Sequence, residues 1–422
     1  MGVRQNDGMD RQTRKRGKAA PRHGIETNGL APASEKSHFE SQRKDLSGFT
    51  EKNDSSFNKS DQSHVTHDQP QINEVRGGVL NPFYDHAALS PPRCRPIREG
   101  DLVTKLIYYV ITCPIAITRI ALGIGTMFIY FNFLLLIMPL LFWLRRQSAK
   151  KMHGAETWAD PILYKLLLLW PGRLCGFFTV MSTGYSVKMN GMEHLQKAYA
   201  SRKPFVCVCN HVSYVDVGVL CFLLGPFSAV AKADIAKIPV LGWVASAWGC
   251  FYIDRSKKRS DKEMHELSAR LTDRANKMGP WAMQPPLLVF PEGTTTSGEA
   301  VTKFRLGAFR TGVDILPIVL DYDTGDQIGR SWSPPYDGRE HFFRVLATWS
   351  KSVKVTVLPI HRQDRSKSAE EVAVSVQKDM AQCLGVPAAL EWGLKDAIAF
   401  YKTIYQAFGT TEAKSANGIH DK

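Results

Sequence analysis

A chain of 422 residues can hold one large domain with appendages, or two domains. Lys and Arg outnumber Asp and Glu by 54 to 40, a formal charge of +14, so the expected partner is acidic: nucleic acid, an anionic membrane surface or a phosphorylated substrate. The basic residues are dispersed and accompany no recognition motif, which argues against nucleic acid. The eight cysteines show neither a disulfide framework nor a zinc spacing, which suits a reducing compartment. Cys207 and Cys209 share one face of a strand-like run and are expected to pack there rather than bind metal.

Residues 1–98 are rich in Lys, Arg, Asp, Ser, Gln, Asn and His, and carry few large apolar side chains. They cannot bury enough surface to offset chain entropy, so they read as disordered. Asn6 does not suit a myristoylation signal, and no early apolar run marks a secretory leader. The triplets Asn53-Asp-Ser55 and Asn58-Lys-Ser60 are therefore idle as glycosylation sites.

Composition changes at Leu102. From there to Leu144 only Lys105 and Arg119 are charged, enough for one long membrane span or two short ones. Gly123 and Gly125 at the midpoint, Pro114 and Pro139 in the arms, and basic flanks on both sides predict a membrane hairpin over 99–148 with both ends in the cytosol. Arg119 is costly at bilayer depth, which favours a shallow, half-inserted hairpin. A shorter stretch, Pro161–Trp170, suits either the membrane surface or the first helix of the next domain.

That domain is expected over 149–408, with 409–422 as a flexible tail. Strand-like runs at Tyr185–Met189, Phe205–Val208, Ala229–Ala231, Phe251–Ile253, Leu287–Phe290, Ile315–Leu320 and Val353–Leu358 alternate with helical stretches, clearest at Lys262–Met278 and Ser368–Leu384. The alternation predicts an α/β fold: a mixed, largely parallel central sheet flanked by helices.

Three strand ends carry chemistry. After Phe205–Cys209 come Asn210, His211 and, five residues beyond the His, Asp216. On one helix that spacing would hold the two apart, so His211 must lie in the turn and Asp216 in the first helical turn after it. Ser213 suits the N-cap, with Asp216 reaching back toward it. The pair then makes a general base, an imidazole oriented by a carboxylate. The bland alternative is a helix cap beside a surface His. The run Leu287–Phe290 ends in Pro291-Glu292-Gly293-Thr294, putting Glu292 where open α/β sheets place their sites, unless it only bonds turn amides. Gly249-Cys-Phe-Tyr-Ile-Asp-Arg255 ends in a guanidinium suited to phosphate, and Lys232 closes another strand. Lys257–Arg259 read as a solvated basic face.

In order and rough spacing, Asn210-His211-x4-Asp216, Phe251-Tyr-Ile-Asp-Arg255, Phe290-Pro-Glu-Gly-Thr294 and Leu316-Pro-Ile-Val319 resemble the four blocks of the glycerolipid acyltransferases (the 1-acylglycerol-3-phosphate acyltransferase, or PlsC-type, superfamily). The resemblance covers about Asp101 to Val386. Phe290–Gly298 followed by Lys303–Phe309, with Val357–Ile360 and Met380–Val386, looks most like the lysophosphatidylcholine and lysophosphatidylethanolamine acyltransferases.

This resemblance implies acyl transfer from acyl-CoA, as co-substrate, to the free hydroxyl of a lysophospholipid at a lipid bilayer. It implies His211 as base and Asp216 as its orienting group, with no resident cofactor or metal. Lys232, Arg255, Glu292, Gly293, Thr294 and, more weakly, Lys303 would hold the acceptor and its phosphate. It further implies an endoplasmic reticulum membrane with the catalytic domain facing the cytosol. One departure bears on the substrate: phosphatidate-forming members usually carry Arg where this chain has Thr295, which favours a phosphodiester acceptor over lysophosphatidate. The competing expectations are a phosphatidate-forming enzyme, a non-catalytic membrane scaffold that keeps the fold, and an acyl-CoA hydrolase.

Overall fold

The computed structural model describes residues 73–84, 102–151, 161–253, 261–277, 283–323, 338–348, 351–362, 364 and 366–408. The chain divides into two units, 1–67 and 68–422, and every described residue belongs to the second. Arg255, the cluster Lys257–Arg259 and the tail 409–422 lie outside the described residues.

The elements run in the order β1 (Val75–Arg76), β2 (Val79–Leu80), α1 (Leu102–Lys151), α2 (Pro161–Tyr164), a π-helical turn (Lys165–Leu169) and α3 (Trp170–Thr183). Then come β3 (Tyr185–Asn190), α4 (Met192–Ala200), β4 (Phe205–Cys209), α5 (Val215–Leu224), β5 (Ser228–Lys232), α6 (Leu241–Ala247), β6 (Phe251–Ile253) and α7 (Asp261–Asn276). The remainder is β7 (Leu287–Val289), β8 (Val301–Thr302), β9 (Asp314–Asp323), α8 (Gly338–Ala347), β10 (Lys351–Val357), α9 (Ala369–Leu384), β11 (Ala388–Ala389) and α10 (Leu394–Phe408).

Seven strands form one sheet in the order β3-β10-β9-β4-β7-β5-β6. The strands β9, β4, β7, β5 and β6 are mutually parallel; β10 pairs antiparallel with β9 and parallel with β3. The mixed, largely parallel sheet is therefore as expected, and each of the seven strand-like runs lies in it. Its central strand β4 is buried on both faces, as a strand inside a parallel sheet must be. Phe205, Cys207 and Cys209 enter the core on the side of α3 and α5, while Val206 and Val208 enter the core with α7 and α9. The two cysteines thus pack, as their spacing predicts. Helix α9 opens on a capping box, with Glu371 N donating to Ser368 Oγ and Ser368 N to Glu371 Oε2.

Two expectations need correction. First, the apolar segment is not a hairpin but one continuous helix, α1, of 50 residues. Gly123 does not turn the chain; it sits against α3, where an added Cβ would stand 3.0 Å from Ser182 Oγ. Arg119 is engaged by the domain itself: its Nη1 donates to Leu346 O at 2.5 Å and Thr348 O at 2.7 Å, at the C-terminal end of α8. Second, part of the region read as disordered is ordered. Residues 73–84 form a small hairpin turning on Gly77 and Gly78, both at positive φ, followed by Asn81, Phe83 and Tyr84, all buried. Two aromatic side chains suffice because they enter a cavity built by residues three hundred positions away.

Pro161–Trp170, left open between the membrane surface and the first helix of the domain, runs on into α3 and packs on the domain as the second of these. The inner face of the whole stretch, Pro161–Thr183, closes on α5 through Gly172 and Gly176, where an added Cβ would lie 2.3 Å from Pro226 and 2.2 Å from Phe222 N. Its outer face leaves Ile162, Leu166, Trp170, Leu174 and Met181 exposed. Both α1 and this stretch are long and apolar enough to cross a membrane.

Candidate active site

Because β10 and β3 run opposite to the other five strands, one edge of the sheet collects the C-terminal ends of β9, β4, β7, β5 and β6 with the N-terminal ends of β10 and β3. His211 follows β4 there, Glu292 follows β7 and Lys232 ends β5. Ile253, paired with Lys232, ends β6 two residues before the undescribed Arg255.

The turn after β4 is fixed before any side chain reaches the site. Asn210 bonds β9 in both directions: Nδ2 donates to Leu320 O at 2.9 Å and Oδ1 accepts from Leu320 N at 2.8 Å. Asp216 lies in the first turn of α5, fully buried, and its Oδ2 accepts from Val212 N at 2.9 Å and Ser213 N at 3.0 Å. The reach back to Ser213 is the one its spacing predicts. The N-cap itself is Tyr214 rather than Ser213 and makes no side-chain cap bond; the Ser213 hydroxyl, one residue earlier, accepts from Val215 N at 3.3 Å.

The same Oδ2 lies 2.8 Å from His211 Nδ1. Tyr322 donates to Oδ1 at 2.5 Å. Four donors converging on two oxygens match a carboxylate, which only accepts. Its bond to Nδ1 makes that nitrogen the donor and leaves Nε2 as the basic one. The Phe290 ring stacks on the imidazole at 4.1 Å and 22°, holding the ring plane. The His211 side chain is 22 % exposed while Asp216 is sealed, so the base is open to solvent and its partner is not.

Glu292 follows the bland reading. Its Oε1 accepts from His211 N at 3.0 Å, and Oε2 accepts from Thr302 N at 3.0 Å and Thr302 Oγ1 at 2.8 Å. At 1 % exposure the carboxylate braces two loops. Burial raises its pKa above the ordinary carboxyl range, against the bonds from Thr302 and His211. The Gly293 amide turns inward to Phe290 O at 3.1 Å, at φ +79°, so it is also part of the brace. The Thr294 amide makes no hydrogen bond among the described residues and stays available. Lys232 is half exposed and paired with Asp234 at 3.0 Å; Lys303 is exposed, following β8. The structure thus brings His211, Asp216 and Glu292 into one bonded unit, with Lys232 on the same sheet edge.

Sequence reasoning missed Tyr322, Phe290 and Thr302. Tyr322 had a weak signal, a polar-tipped aromatic in the apolar run of β9; Phe290 and Thr302 had none, because their roles depend on which strands become neighbours. Among the described residues no group of His, Cys, Asp and Glu could hold a metal ion.

Residues 186–321 match the family model described as Acyltransferase. A lysophospholipid acyltransferase of Arabidopsis thaliana is 30 % identical over 223 residues, covering 52 % of this chain and 53 % of that one. A lysophosphatidylcholine acyltransferase of Drosophila melanogaster is 31 % identical over 230 residues, covering 53 % of this chain and 40 % of its own. The chain thus spans about half the length of these curated relatives, or less. Among solved structures, the 1-acyl-sn-glycerophosphate acyltransferase of Thermotoga maritima aligns with a TM-score of 0.41 at 17 % identity, over 64 % of this chain and 95 % of that one.

Proposed function

We propose that the chain is a member of the glycerolipid acyltransferase superfamily, and that it is a membrane-bound lysophospholipid acyltransferase that uses acyl-CoA; the match to the Acyltransferase model and the two lysophospholipid acyltransferase relatives support this reading. The observation that carries this reading is the His211–Asp216 pair, with Nδ1 engaged at 2.8 Å, Nε2 left as the basic nitrogen and the side chain 22 % exposed.

In the proposed reaction His211 Nε2 takes the proton of the lysophospholipid hydroxyl as its oxygen attacks the thioester carbonyl carbon. The tetrahedral adduct collapses with cleavage of the C–S bond, and the thiolate of CoA leaves with the proton returned from Nε2. No acyl-enzyme is formed. Asp216 stabilises the imidazolium between the two transfers; base help of this kind contributes on the order of 10²–10⁴-fold. The Thr294 amide is the donor at hand for the carbonyl oxygen or the acceptor phosphate, Lys232 closes a strand at the same edge, and Arg255 is the second cation assigned to the phosphate. Thr295, in place of an arginine, supports an acceptor whose phosphate is a diester, with ethanolamine or choline as headgroup. The endoplasmic reticulum membrane, with the domain facing the cytosol, is the location this chemistry suits, since CoA is cytosolic and the lipids are not.

The test uses detergent-purified protein, labelled long-chain acyl-CoA and four conditions: lysophosphatidylethanolamine, lysophosphatidylcholine, lysophosphatidate and no acceptor. Label in a diacyl phospholipid, lost in His211→Ala, is the expected result. Label in phosphatidate alone would move the acceptor to the monoester. Thioester loss without an acceptor would make the protein a hydrolase. No turnover from folded protein would leave only a scaffold.

A further inference from the structure

The hairpin β1–β2 and the residues after it take no part in the central sheet. They are nonetheless held by specific bonds at both ends. Arg76 stacks over the Trp392 ring at 4.4 Å and donates to Asp396 Oδ1 at 2.7 Å, while Trp392 Nε1 donates to Val79 O at 3.2 Å. The Asn81 side chain accepts from Phe83 N at 3.0 Å, shaping a turn that drives the fully buried Phe83 edge-on into Trp392 at 6.0 Å and brings Tyr84 against Phe400. Ala300 belongs to the same apolar cluster.

This turn reaches the loop that joins β7 to β8. Ser297 N donates to Pro82 O at 2.8 Å, and the preceding residue, Thr296, donates its N to His211 O at 2.9 Å. On the other side Tyr401, whose ring lies 6.4 Å from that of Phe83, donates its hydroxyl to Thr295 O at 3.1 Å. One peptide unit therefore separates the strap from the catalytic turn. The Thr294 amide lies two residues further along the same loop.

We propose that residues 73–84 are a positioning strap for the acceptor: through Pro82 and Phe83 they hold the loop 294–297 at a set distance from His211, and so set acceptor affinity. The inference rests on the acyl-transfer reading above. The strap makes no bond with substrate; it acts through the loop. Its bonds go to a loop amide and to the side chains of Trp392 and Asp396 rather than to a sheet.

Phe83→Ala and Phe83→Leu in the full chain, in micelles, test it by steady-state kinetics against both substrates, thermal unfolding, and amide exchange read on the peptides covering 293–300 and β4. The Ala variant is expected to raise the KM for lysophospholipid by about tenfold, equivalent to about 1.4 kcal/mol of acceptor binding, with the KM for acyl-CoA unchanged. Exchange should quicken at 293–300 and not in β4, and Phe83→Leu should recover most of both effects. Unchanged acceptor KM with a loosened loop would overturn the proposal. So would a uniform fall in all kinetic parameters that tracks the melting temperature and is not relieved by Leu. If the unaltered protein transfers no acyl group, the transferase reading fails, and exchange alone decides the strap: quickening confined to 293–300 keeps the coupling, and none removes it.

Discussion

At the residue scale the site is a set of donors aimed at two carboxylates, and each can be removed singly. Tyr322→Phe deletes one of the four donors on Asp216 and keeps the ring that packs edge-on against Tyr185 at 5.4 Å. A hydrogen bond to a charged group contributes about 1.5–3 kcal/mol, so with Oδ1 left unmet in a sealed site the melting temperature should fall, and kcat should fall with it as Asp216 orients His211 less firmly. An unchanged kcat would show that the two amides and the imidazole alone orient Asp216. Glu292→Gln acts from the other side of the bond, because every partner of Glu292 is a donor. The new NH2 must face one of them, leaving a buried donor unmet at a cost of about 1–3 kcal/mol. Thermal unfolding should move down and activity should fall with it, since His211 N is one of the displaced donors. The Thr302→Val change, which leaves the amide bond in place, should cost less.

At the scale of elements, α1 offers a direct choice between a helix and a hairpin. Gly125 has nothing within 4 Å of an added Cβ and does not adopt a positive φ, so Gly125→Ala should stabilise by about 0.5–1 kcal/mol on helix propensity. A hairpin turning there would lose stability instead, which unfolding in micelles would reveal. Gly176→Ala should cost about 1–3 kcal/mol by overpacking α3 against α5. Lys351, at the start of β10, is nearly sealed; its Nζ donates to Thr183 O at 2.6 Å and to Val345 O, and stands 4.6 Å over the Tyr185 ring. Burial, with the Arg119 charge beside it, brings its pKa down to about 7 from 10.5. A lysine depressed on folding leaves the folded state binding fewer protons, so stability should rise with pH between about 7 and 10.5. Lys351→Met should flatten that slope in a series of melting curves.

The same elements show what was legible. All seven strands were readable because β-branched and apolar runs ended in polar turns, and α9 because Ser368 and Glu371 form a capping box. The His211–Asp216 geometry was readable because a five-residue spacing permits only one arrangement across a turn. The continuous α1 was not, since Gly123 can end a helix or let another helix approach, and only the position of Ser182 decides. Nor was the role of Glu292: a carboxylate at a strand end looks the same whether it meets a ligand or an amide, and the amide came from a loop eighty residues away. The strap was hidden for the same reason, its partners Trp392 and Phe400 being remote in sequence.

At the scale of the whole molecule, polar chemistry and apolar surface meet at one place. Helix α1 is about 75 Å long at 1.5 Å per residue, more than twice the ~30 Å hydrocarbon thickness, so it cannot lie wholly across a bilayer at right angles. It packs one face on the domain through Tyr130, Leu134 and Leu141 and leaves Phe128, Leu136 and Phe142 exposed. Trp243 of α6 joins it through Phe131 at 5.3 Å, and exposed Phe342 of α8 lies 5.9 Å from Tyr214, three residues after His211. Exposed apolar side chains thus occur both on α1 and beside the turn that carries His211. Leu166 and Trp170 sit on this outer surface, away from the catalytic turn. Each buries about 1.5–3 kcal/mol worth of apolar side chain if lipid covers it, so Leu166→Glu with Trp170→Glu should lower partition into phospholipid vesicles at least tenfold. Turnover of a micelle-dispersed acceptor should be kept, because neither residue touches the His211–Asp216 unit. Unchanged partition would move the membrane contact off Pro161–Thr183 and onto α1 alone; lost turnover in micelles would mean that the outer face of this stretch shapes the path to His211 as well as the seat in the lipid.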